Sequence, residues 1–300
     1  MFHLRSTTGG LSRPGVCRVA LVLSMLVVGC SSLTGPRAVD NDAAAPAPVH
    51  NGPGKYHLRE SQFVFYSDFP LKASLPLFQE LSEMREQIYR DLHLPESNTV
   101  IQVFLFEDQT KYETYMKARY AELPIRRAFF IKQPRGNGGS DELFVFTWWG
   151  EHIRQDLRHE LTHGILHSVL KDVPLWLDEG FAEVYELPPE TNGYNAGHMD
   201  LIRKGTFQPD LAKLEQLNEV KQMLRPEYRE AWAWVHFMLR GKPESRKVLL
   251  SYLQQLRQPA PMPLLLPKLK EAFPVPADAL IDHLNQLDTV RNSAAHFPSR

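Results

Sequence analysis

The chain has 300 residues and a formal net charge of −1 at pH 7, from 34 lysines and arginines against 35 aspartates and glutamates. Because the basic and acidic side chains almost balance, the protein has no overall basic field, which argues against a nucleic-acid-binding protein. Both cysteines, Cys17 and Cys30, lie near the N-terminus, so the rest of the chain has neither a disulfide framework nor a thiol nucleophile. A domain of this length can be stabilised by burial alone.

The first 29 residues have the pattern of a signal peptide. Three arginines precede an apolar run at 19–28 that is too short to span a bilayer. The run ends in the sequence Leu-Val-Val-Gly before Cys30, which resembles a bacterial lipoprotein box. That resemblance implies cleavage before Cys30, lipidation of Cys30, and an exported protein anchored to the cell envelope. Ser31 after the cysteine favours the outer membrane. The alternative is an ordinary secretory signal in which Cys30 is incidental.

A tether and then alternating strands and helices follow. Residues 30–55 are rich in Ser, Ala, Pro, Gly and Asn, which is typical of a flexible linker after the lipidated N-terminus. Globular sequence begins near Tyr56, and Asp108 can cap a helix that follows it. The apolar patterns predict strands at 62–66, 99–106, 128–131 and 143–146, and helices at 71–92 and 111–120.

The next helix carries a His-Glu-x-x-His motif. Residues four apart share one face of a helix, so His159 and His163 can direct two imidazoles at one point. Glu160, one residue past the first histidine, is close enough to reach a metal-bound water. His167 lies on the same face, one turn after His163. The histidines of this face are spread too far along the helix for all of them to bind one ion, so His167 is expected to be packed or to line a cleft.

A second, acidic segment after Pro174 can complete a metal site. A catalytic zinc site needs three protein ligands, and Glu179 is the best third ligand. Glu183 lies one helical turn further on, where it is expected to accept the distal N–H of a ligand histidine. Asp178 is expected to point elsewhere, as a solvated residue or a local hydrogen-bond partner.

The remainder of the chain is almost wholly helical in pattern. The strongest later helix is predicted at 228–239, and residues 241–300 have short apolar helices separated by prolines. We therefore predict a domain at 56–240 with a helical extension at 241–300 packed on it. Strands and helices followed by helices alone predict an α+β fold, with a small N-terminal mixed sheet, an active-site helix and a mainly helical C-terminal half.

The sequences HELTH, at His159–His163, and WLDEGFAE, at Trp176–Glu183, resemble the gluzincin branch of zinc metallopeptidases. More narrowly, the chain resembles uncharacterised bacterial lipoproteins with a peptidase MA-like domain. The resemblance implies a zincin-like fold and one Zn²⁺ held by His159, His163 and Glu179. It also implies hydrolysis of a peptide or protein substrate, with Glu160 as the general base that activates a zinc-bound water.

The same resemblance implies two further parts of the site. Gluzincins commonly supply an oxyanion-stabilising donor from a residue after the third ligand; Tyr228 is the candidate and His236 the reserve. Alternatively, Tyr228 only anchors its helix. In these peptidases an edge strand pairs with extended substrate, and residues 143–147 are the candidate for that strand. Its alternative is an interior strand without ligand contact.

Three interpretations of the whole chain are open. The first is a lipid-anchored zinc peptidase outside the cytoplasmic membrane, which the complete set of metal and base residues favours. The second is a catalytically silent lipoprotein that uses the gluzincin fold for binding or scaffolding. The third is a structural envelope protein without metal, which would leave Glu160, Glu179 and Glu183 beside two histidines as a costly group of charges.

Overall fold

A mixed β-sheet forms the first half of the structure, a computed structural model that describes residues 2–3, 52–135, 141–258 and 261–295. Most of the predicted signal peptide (residues 4–29), Cys30 and the predicted linker up to residue 51 lie outside the described residues. The strands are β1 (Phe2–His3), β2 (Tyr56–Glu60), β3 (Phe63–Ser67), β4 (Ile101–Phe106), β5 (Ala128–Gln133) and β6 (Glu142–Trp148).

The spatial order of the strands is β1-β5-β6-β4-β3-β2. The pairs β2/β3 and β5/β6 are antiparallel, whereas β3/β4, β4/β6 and β1/β5 are parallel. Strand β6 therefore lies between β4 and β5, so the prediction that residues 143–147 form the edge strand is wrong. Its side chains from Leu143 to Thr147 are buried, as expected for a strand covered on both faces.

Helices cover both faces of the sheet. Helices α1 (Pro76–Leu92) and α3 (Ile153–Val169) share the larger core with one face, and α2 (Gln109–Arg119) packs against aromatic side chains on the other. Helix α1 begins at Pro76 rather than at the predicted residue 71, because proline suits the first helical turn. The predicted cap is confirmed: the Asp108 side chain accepts a hydrogen bond from the Lys111 N–H at the start of α2.

The second half is helical and is organised around α7. Helix α7 packs closely against α4, and α8 and α10 pack on α7, so the C-terminal helices belong to the same compact unit as the sheet. No helix in the described ranges is long and apolar enough to cross a membrane. The helices are α4 (Leu175–Tyr185), α5 (Ala196–Lys204), α6 (Leu211–Leu214), α7 (Arg225–Arg240), α8 (Pro243–Gln255), α9 (Leu266–Ala272) and α10 (Pro276–Ala295).

One glycine allows α4 and α7 to approach each other. A Cβ atom at Gly180 would lie 2.6 Å from the carbonyl oxygen of Ala231 and 2.6 Å from Cγ2 of Val235, both on α7. Only a residue without a side chain fits at this crossing. The close approach matters for the site because Gly180 directly follows Glu179. The sheet, the helix α3 and the mainly helical second half together confirm the α+β class.

Candidate metal centre

Two imidazoles and one carboxylate meet between α3 and α4. His159 and His163 lie on the face of α3 that is turned towards α4, and Glu179 lies on α4 opposite them. One ligand atom from each residue can be chosen so that all three lie within 4.8 Å of one another. Glu179 Oε2 is 3.5 Å from His159 Nε2 and 3.7 Å from His163 Nε2. The structure therefore brings together the three residues predicted as metal ligands.

These distances fit a tetrahedral metal ion. Zinc bonds to His nitrogen and carboxylate oxygen are about 2.0–2.1 Å long, so two donors at corners of a tetrahedron lie about 3.3 Å apart. The separations of 3.5 and 3.7 Å are only slightly wider. Catalytic zinc sites likewise use three protein ligands, which include His nitrogen and carboxylate oxygen. The group could therefore hold a metal ion.

Carboxylates from α4 contact the distal nitrogens of both ligand histidines. His159 Nδ1 lies 2.8 Å from Glu186 Oε2, and His163 Nδ1 lies 3.0 Å from Asp178 Oδ2. Such contacts fix the tautomer and the orientation of each ring, so that both Nε2 atoms face Glu179. Glu186 and Asp178 therefore have the role that the sequence had suggested for Glu183.

Glu183, one helical turn after Glu179 on α4, has a different hydrogen-bond partner. Its Oε2 atom is 2.9 Å from Nε2 of His198 on α5, and the His198 ring packs on Trp232 with the ring centroids 5.4 Å apart. The expectation that Glu183 accepts the distal N–H of a ligand histidine is therefore wrong. The sequence spacing could have indicated Glu186 instead, because it lies seven residues after Glu179 and so on the same helical face.

Arg158 holds the C-terminal end of α4 against α3. Its guanidinium is buried and donates to the carbonyl oxygens of Glu186, at 3.2 Å, and Leu187, at 2.7 Å. The Glu186 oxygen is one of those that a helix leaves without intrahelical partners at its C-terminus, and Leu187 follows it directly. Gln155 adds a 2.7 Å hydrogen bond to Glu186 Oε1. The carboxylate that orients His159 is thereby fixed on both of its oxygens.

Asp178 bridges two histidines and is fully buried. Its Oδ2 atom also lies 3.2 Å from Nε2 of His167, whose ring stacks on Phe130 of β5 at a centroid distance of 5.5 Å. Burial alone would raise the pKa of Asp178, but the charges and hydrogen bonds of His163 and His167 lower it far below its usual range. Asp178 is thus a hydrogen-bond partner but not a solvated one, and His167 is a packed histidine, as predicted.

Two of the three candidate ligands, His159 and Glu179, have shifted pKa values. Burial would lower the pKa of His159, but hydrogen bonds to Glu179 and Glu186 and the charge of Glu160 raise it well above its usual value. Burial would raise the pKa of Glu179, yet neighbouring positive charges, the ligand imidazoles among them, lower it. The raised pKa of His159 reflects its attraction to neighbouring carboxylates, which a bound divalent cation would replace.

Glu160 lies beside this cluster without a partner of its own. Its side chain is half-buried and makes no hydrogen bond or ion pair within the described part of the chain. After the effect of burial, the charge of Glu160 is the largest contribution of a neighbouring group to the raised pKa of Tyr112, whose ring packs against Trp148 with the centroids 4.9 Å apart. The Glu160 carboxylate therefore lies close enough to Tyr112 on α2 for its charge to act on that residue.

Tyr228 reaches the same site from α7, whereas His236 does not. Tyr228 is half-buried and hydrogen-bonds with Arg126; burial and the charge of Glu179 raise its pKa well above the usual value. His236 is buried, with Nδ1 2.9 Å from Nε2 of His283 and a second hydrogen bond to the Asn192 backbone. Both of its ring nitrogens are engaged, so His236 is excluded as the reserve oxyanion donor.

A comparison of the chain with protein-family models gave no match, and a comparison with the curated proteins gave no significant match. The functional assignment therefore depends on the chemistry of the site.

Proposed function

We propose that this protein is a zinc metallopeptidase of the gluzincin type, with a zincin-like fold and one Zn²⁺ held by His159, His163 and Glu179. The observation that carries the proposal is the triangle of donor atoms between α3 and α4, with Glu179 Oε2 3.5 and 3.7 Å from the two Nε2 atoms. Glu160, beside the first ligand and without a competing partner, supports hydrolysis rather than a purely structural metal site.

The residues of the site divide the reaction between them. When bound, zinc would polarise the peptide carbonyl and lower the pKa of a coordinated water. Glu160 takes the proton from the attacking water and gives it to the leaving amine. Tyr228, whose hydroxyl is held by Arg126 close to Glu179, donates a hydrogen bond to the oxygen that becomes negative. Glu186 and Asp178 keep the two ligand imidazoles in position.

The geometry of β5 supports a peptide as the substrate. Among the strands between residues 56 and 148, β5 is at the edge of the sheet. The short strand β1, from the start of the chain, pairs with it at Ile131 and Lys132. Phe130 of the same strand stacks on the ring of His163 with the centroids 5.9 Å apart. An extended peptide that pairs with β5 would pass close to the metal ligands. We therefore reassign the substrate-binding strand from β6 to β5.

The N-terminal pattern adds a location to the proposal. Cleavage before Cys30 and lipidation of that cysteine would anchor the catalytic domain to the cell envelope, with the outer membrane favoured by Ser31. Mass spectrometry of the N-terminal peptide from the native membrane fraction tests this directly. A diacylglyceryl adduct on Cys30 is the expected result, and an unmodified N-terminus elsewhere in residues 20–40 contradicts it.

Metal analysis and a single isosteric substitution test the activity. The purified protein is expected to contain about one zinc per chain. Glu160→Gln should retain that zinc and lose activity on a peptide library by about 10²–10⁴-fold, because only proton transfer is removed. Glu113→Gln, on the exposed face of α2, is the matched control. Equal cleavage by wild type and Glu160→Gln, or no cleavage by a zinc-loaded wild type, would favour the binding or scaffolding lipoprotein instead.

A further inference from the structure

A cationic groove lies between the C-terminal end of α1 and one face of α8. Its volume is about 550 Å³, and no aspartate or glutamate lines it. Arg246 and Lys247 of α8 and Arg257 just after α8 give the groove three positive charges, and His93 at the C-cap of α1 adds an imidazole. None of these residues belongs to the candidate metal centre, so the groove is a separate feature with a chemistry of its own.

The charges of this groove are not neutralised by the protein. Within the described part of the chain, Arg246, Lys247 and Arg257 form no ion pair with a carboxylate. By contrast, Arg127 lies 2.8 Å from a carboxylate oxygen of Asp156. Acidic and basic side chains almost balance over the whole chain, so a group of unpaired cations in one groove stands apart from the average surface. Such a group attracts an anion.

The two arginines converge on the end of α1. Positions 246 and 257 would lie about 16 Å apart along a continuous helix. Their guanidiniums nevertheless reach two carbonyl oxygens that are close together in the chain: Arg246 Nη2 donates to Asp91 O at 3.1 Å, and Arg257 Nη2 donates to His93 O at 2.6 Å. These hydrogen bonds fix both guanidiniums in position at the groove.

Each guanidinium keeps unused hydrogen-bond donors. A guanidinium has several N–H donors and no acceptor. In Arg246 and Arg257 only Nη2 has an acceptor within the described residues, and Nε of each is buried without one. A carbonyl oxygen accepts a hydrogen bond but carries no full negative charge. The contacts with α1 therefore orient the two cations without neutralising them.

His93 has a backbone conformation that favours glycine. Its φ of 49° and ψ of 42° lie in the left-handed region, and its exposed side chain lines the groove. Glycine or asparagine is the usual residue in this conformation after a helix. A histidine here lowers the stability of the helix end but adds an imidazole next to the two guanidiniums.

The donors of the groove fit a phosphate group better than a carboxylate. Arginine binds phosphate oxygens through paired N–H donors, and lysine contributes a point charge. A phosphate monoester carries a charge of about −1.5 to −2 at neutral pH, whereas a carboxylate carries one charge. Ser251 and Gln254, which also line the groove, are further donors for the additional phosphate oxygens.

We propose that this groove is a binding site for a phosphate group, held by Arg246, Lys247 and Arg257. A soluble phosphate monoester and the headgroup of an acidic phospholipid present the same chemistry, and binding of one probe of each kind distinguishes the two sources. The inference does not depend on the proposed peptidase function, because no residue of the groove is a candidate metal ligand or base.

Isothermal titration of the full-length protein tests the site with two probes, glycerol phosphate and dihexanoyl phosphatidic acid below its critical micelle concentration. Binding of either probe supports the site and identifies the source, and its affinity should be the same before and after chelation of zinc. Lys247→Gln should weaken binding about 10-fold, because it removes an exposed cation that has no partner in the protein. Lys270→Gln removes the same charge from an exposed position on α9 and should leave the affinity unchanged.

Substitution of His93 separates binding from stability. His93→Gly should raise the midpoint of urea unfolding, because glycine is favoured in the left-handed conformation. It should also weaken phosphate binding by about 2–10-fold, because a donor is lost. A groove with a purely structural role would show only the first effect. Arg257→Lys, which keeps the charge but not the paired donors, should bind phosphate more tightly than Arg257→Gln.

Several results would overturn the proposal. They are an absence of binding by both probes at millimolar concentration, equal affinities of wild type and Lys247→Gln, and equally tight binding of glutarate, a dicarboxylate of similar size. Peptide cleavage plays no part in these measurements, so their failure would leave the peptidase proposal intact.

Discussion

The Asp178 carboxylate lies 3.0 Å from Nδ1 of His163, although Asp178 directly precedes the ligand Glu179 in the chain. One short helix therefore supplies a ligand and the group that orients another ligand. Both residues are almost completely buried, so no water replaces this contact if it is removed.

Asp178→Asn is expected to weaken zinc affinity by about 10–100-fold, because an amide cannot supply the negative charge that orients the His163 ring and raises its basicity. Competition with a chromophoric chelator measures the change. Asp200→Asn, at an exposed partner of Arg203, should leave the affinity unchanged. Equal zinc affinity in Asp178→Asn and wild type would show that the His163 contact has no influence on the metal.

Substitutions of three glutamates, two on α4 and one at its C-cap, should weaken zinc affinity in a defined order. Glu179→Gln removes a ligand and is expected to cause the largest loss of zinc affinity. Glu186→Gln should cause an intermediate loss of about 10–100-fold, through the 2.8 Å contact with His159 Nδ1. Glu183→Gln should have the least effect, since its partner is His198. Isothermal titration with zinc after chelation measures all three, and a larger loss for Glu183→Gln than for Glu186→Gln would reverse the assignment.

Gly180→Ala is expected to destabilise the protein by about 1–3 kcal/mol, because the new methyl group would overlap the carbonyl oxygen of Ala231 and force α4 away from α7. Urea unfolding of the zinc-loaded and chelated forms measures the loss. Gly197→Ala provides the opposite control: on the exposed side of α5, the added methyl group meets Asn195 Oδ1 only at 3.4 Å. There alanine should be neutral or stabilising, through its higher helix propensity. Similar stability changes for both substitutions would contradict the close helix crossing.

The buried pair of His236 and His283 should make stability depend on pH. Burial lowers the pKa of His236 to about 3 and that of His283 to about 4, below the unfolded value of about 6.5. Between pH 6.5 and 4 the unfolded chain binds protons that the folded chain does not. The free energy of unfolding therefore falls as the pH falls through this window, by up to about 1.4 kcal/mol per pH unit for each group.

Comparison of wild type with His283→Gln isolates this contribution, because the carboxylates that also titrate in acid are common to both proteins. The slope of unfolding free energy against pH should be shallower in His283→Gln between pH 4 and 6.5. His57→Gln, at an exposed position on β2, is the control. Parallel slopes in all three proteins would show that the His236–His283 pair is not linked to folding.

The ligand residues were predictable because their geometry is local. Four-residue spacing fixes His159 and His163 on one face whatever surrounds them, and Glu179 opens a recognisable second helix. The role of Tyr228 as oxyanion donor stays a prediction. The burial of the reserve candidate His236 could not be predicted, because its pairing with His283 depends on where α10 docks. Nothing in the spacing of residues 228–239 indicates that contact.

The orienting carboxylates could not be read from the sequence with the same ease. Neighbours on a helix differ by about 100° in direction, so Asp178 and Glu179 cannot both face one ion, and the sequence leaves Asp178 as either a solvated residue or a local hydrogen-bond partner. The angle between α3 and α4 instead lets Asp178 reach the far side of the His163 ring. Glu183 and Glu186 share a face with Glu179, and only the docking of the α4 end through Arg158 selects Glu186.

Strand order was the other property that local patterns did not determine. The apolar runs at 128–131 and 143–146 predict strands but not which strands are neighbours, and β5 rather than β6 lies nearer the edge. A signal was present in β6, whose unbroken apolar sequence from Leu143 to Phe146 is typical of a strand covered on both faces. The first strand of the domain, β2, was missed because Leu58 is the one aliphatic residue in Tyr56–Glu60.

Among the described residues, helix α4 and its C-cap Glu186 carry the carboxylates that contact the two candidate ligand histidines. A deletion of one residue between Glu179 and Glu186 would rotate everything after it by about 100° and move it back by about 1.5 Å. His159 would then lose its partner while all the side-chain types were still present. Insertions or deletions inside this helix should therefore disrupt the site far more than insertions or deletions in the exposed turn at Lys171 and Asp172, where the backbone can adjust to the changed length.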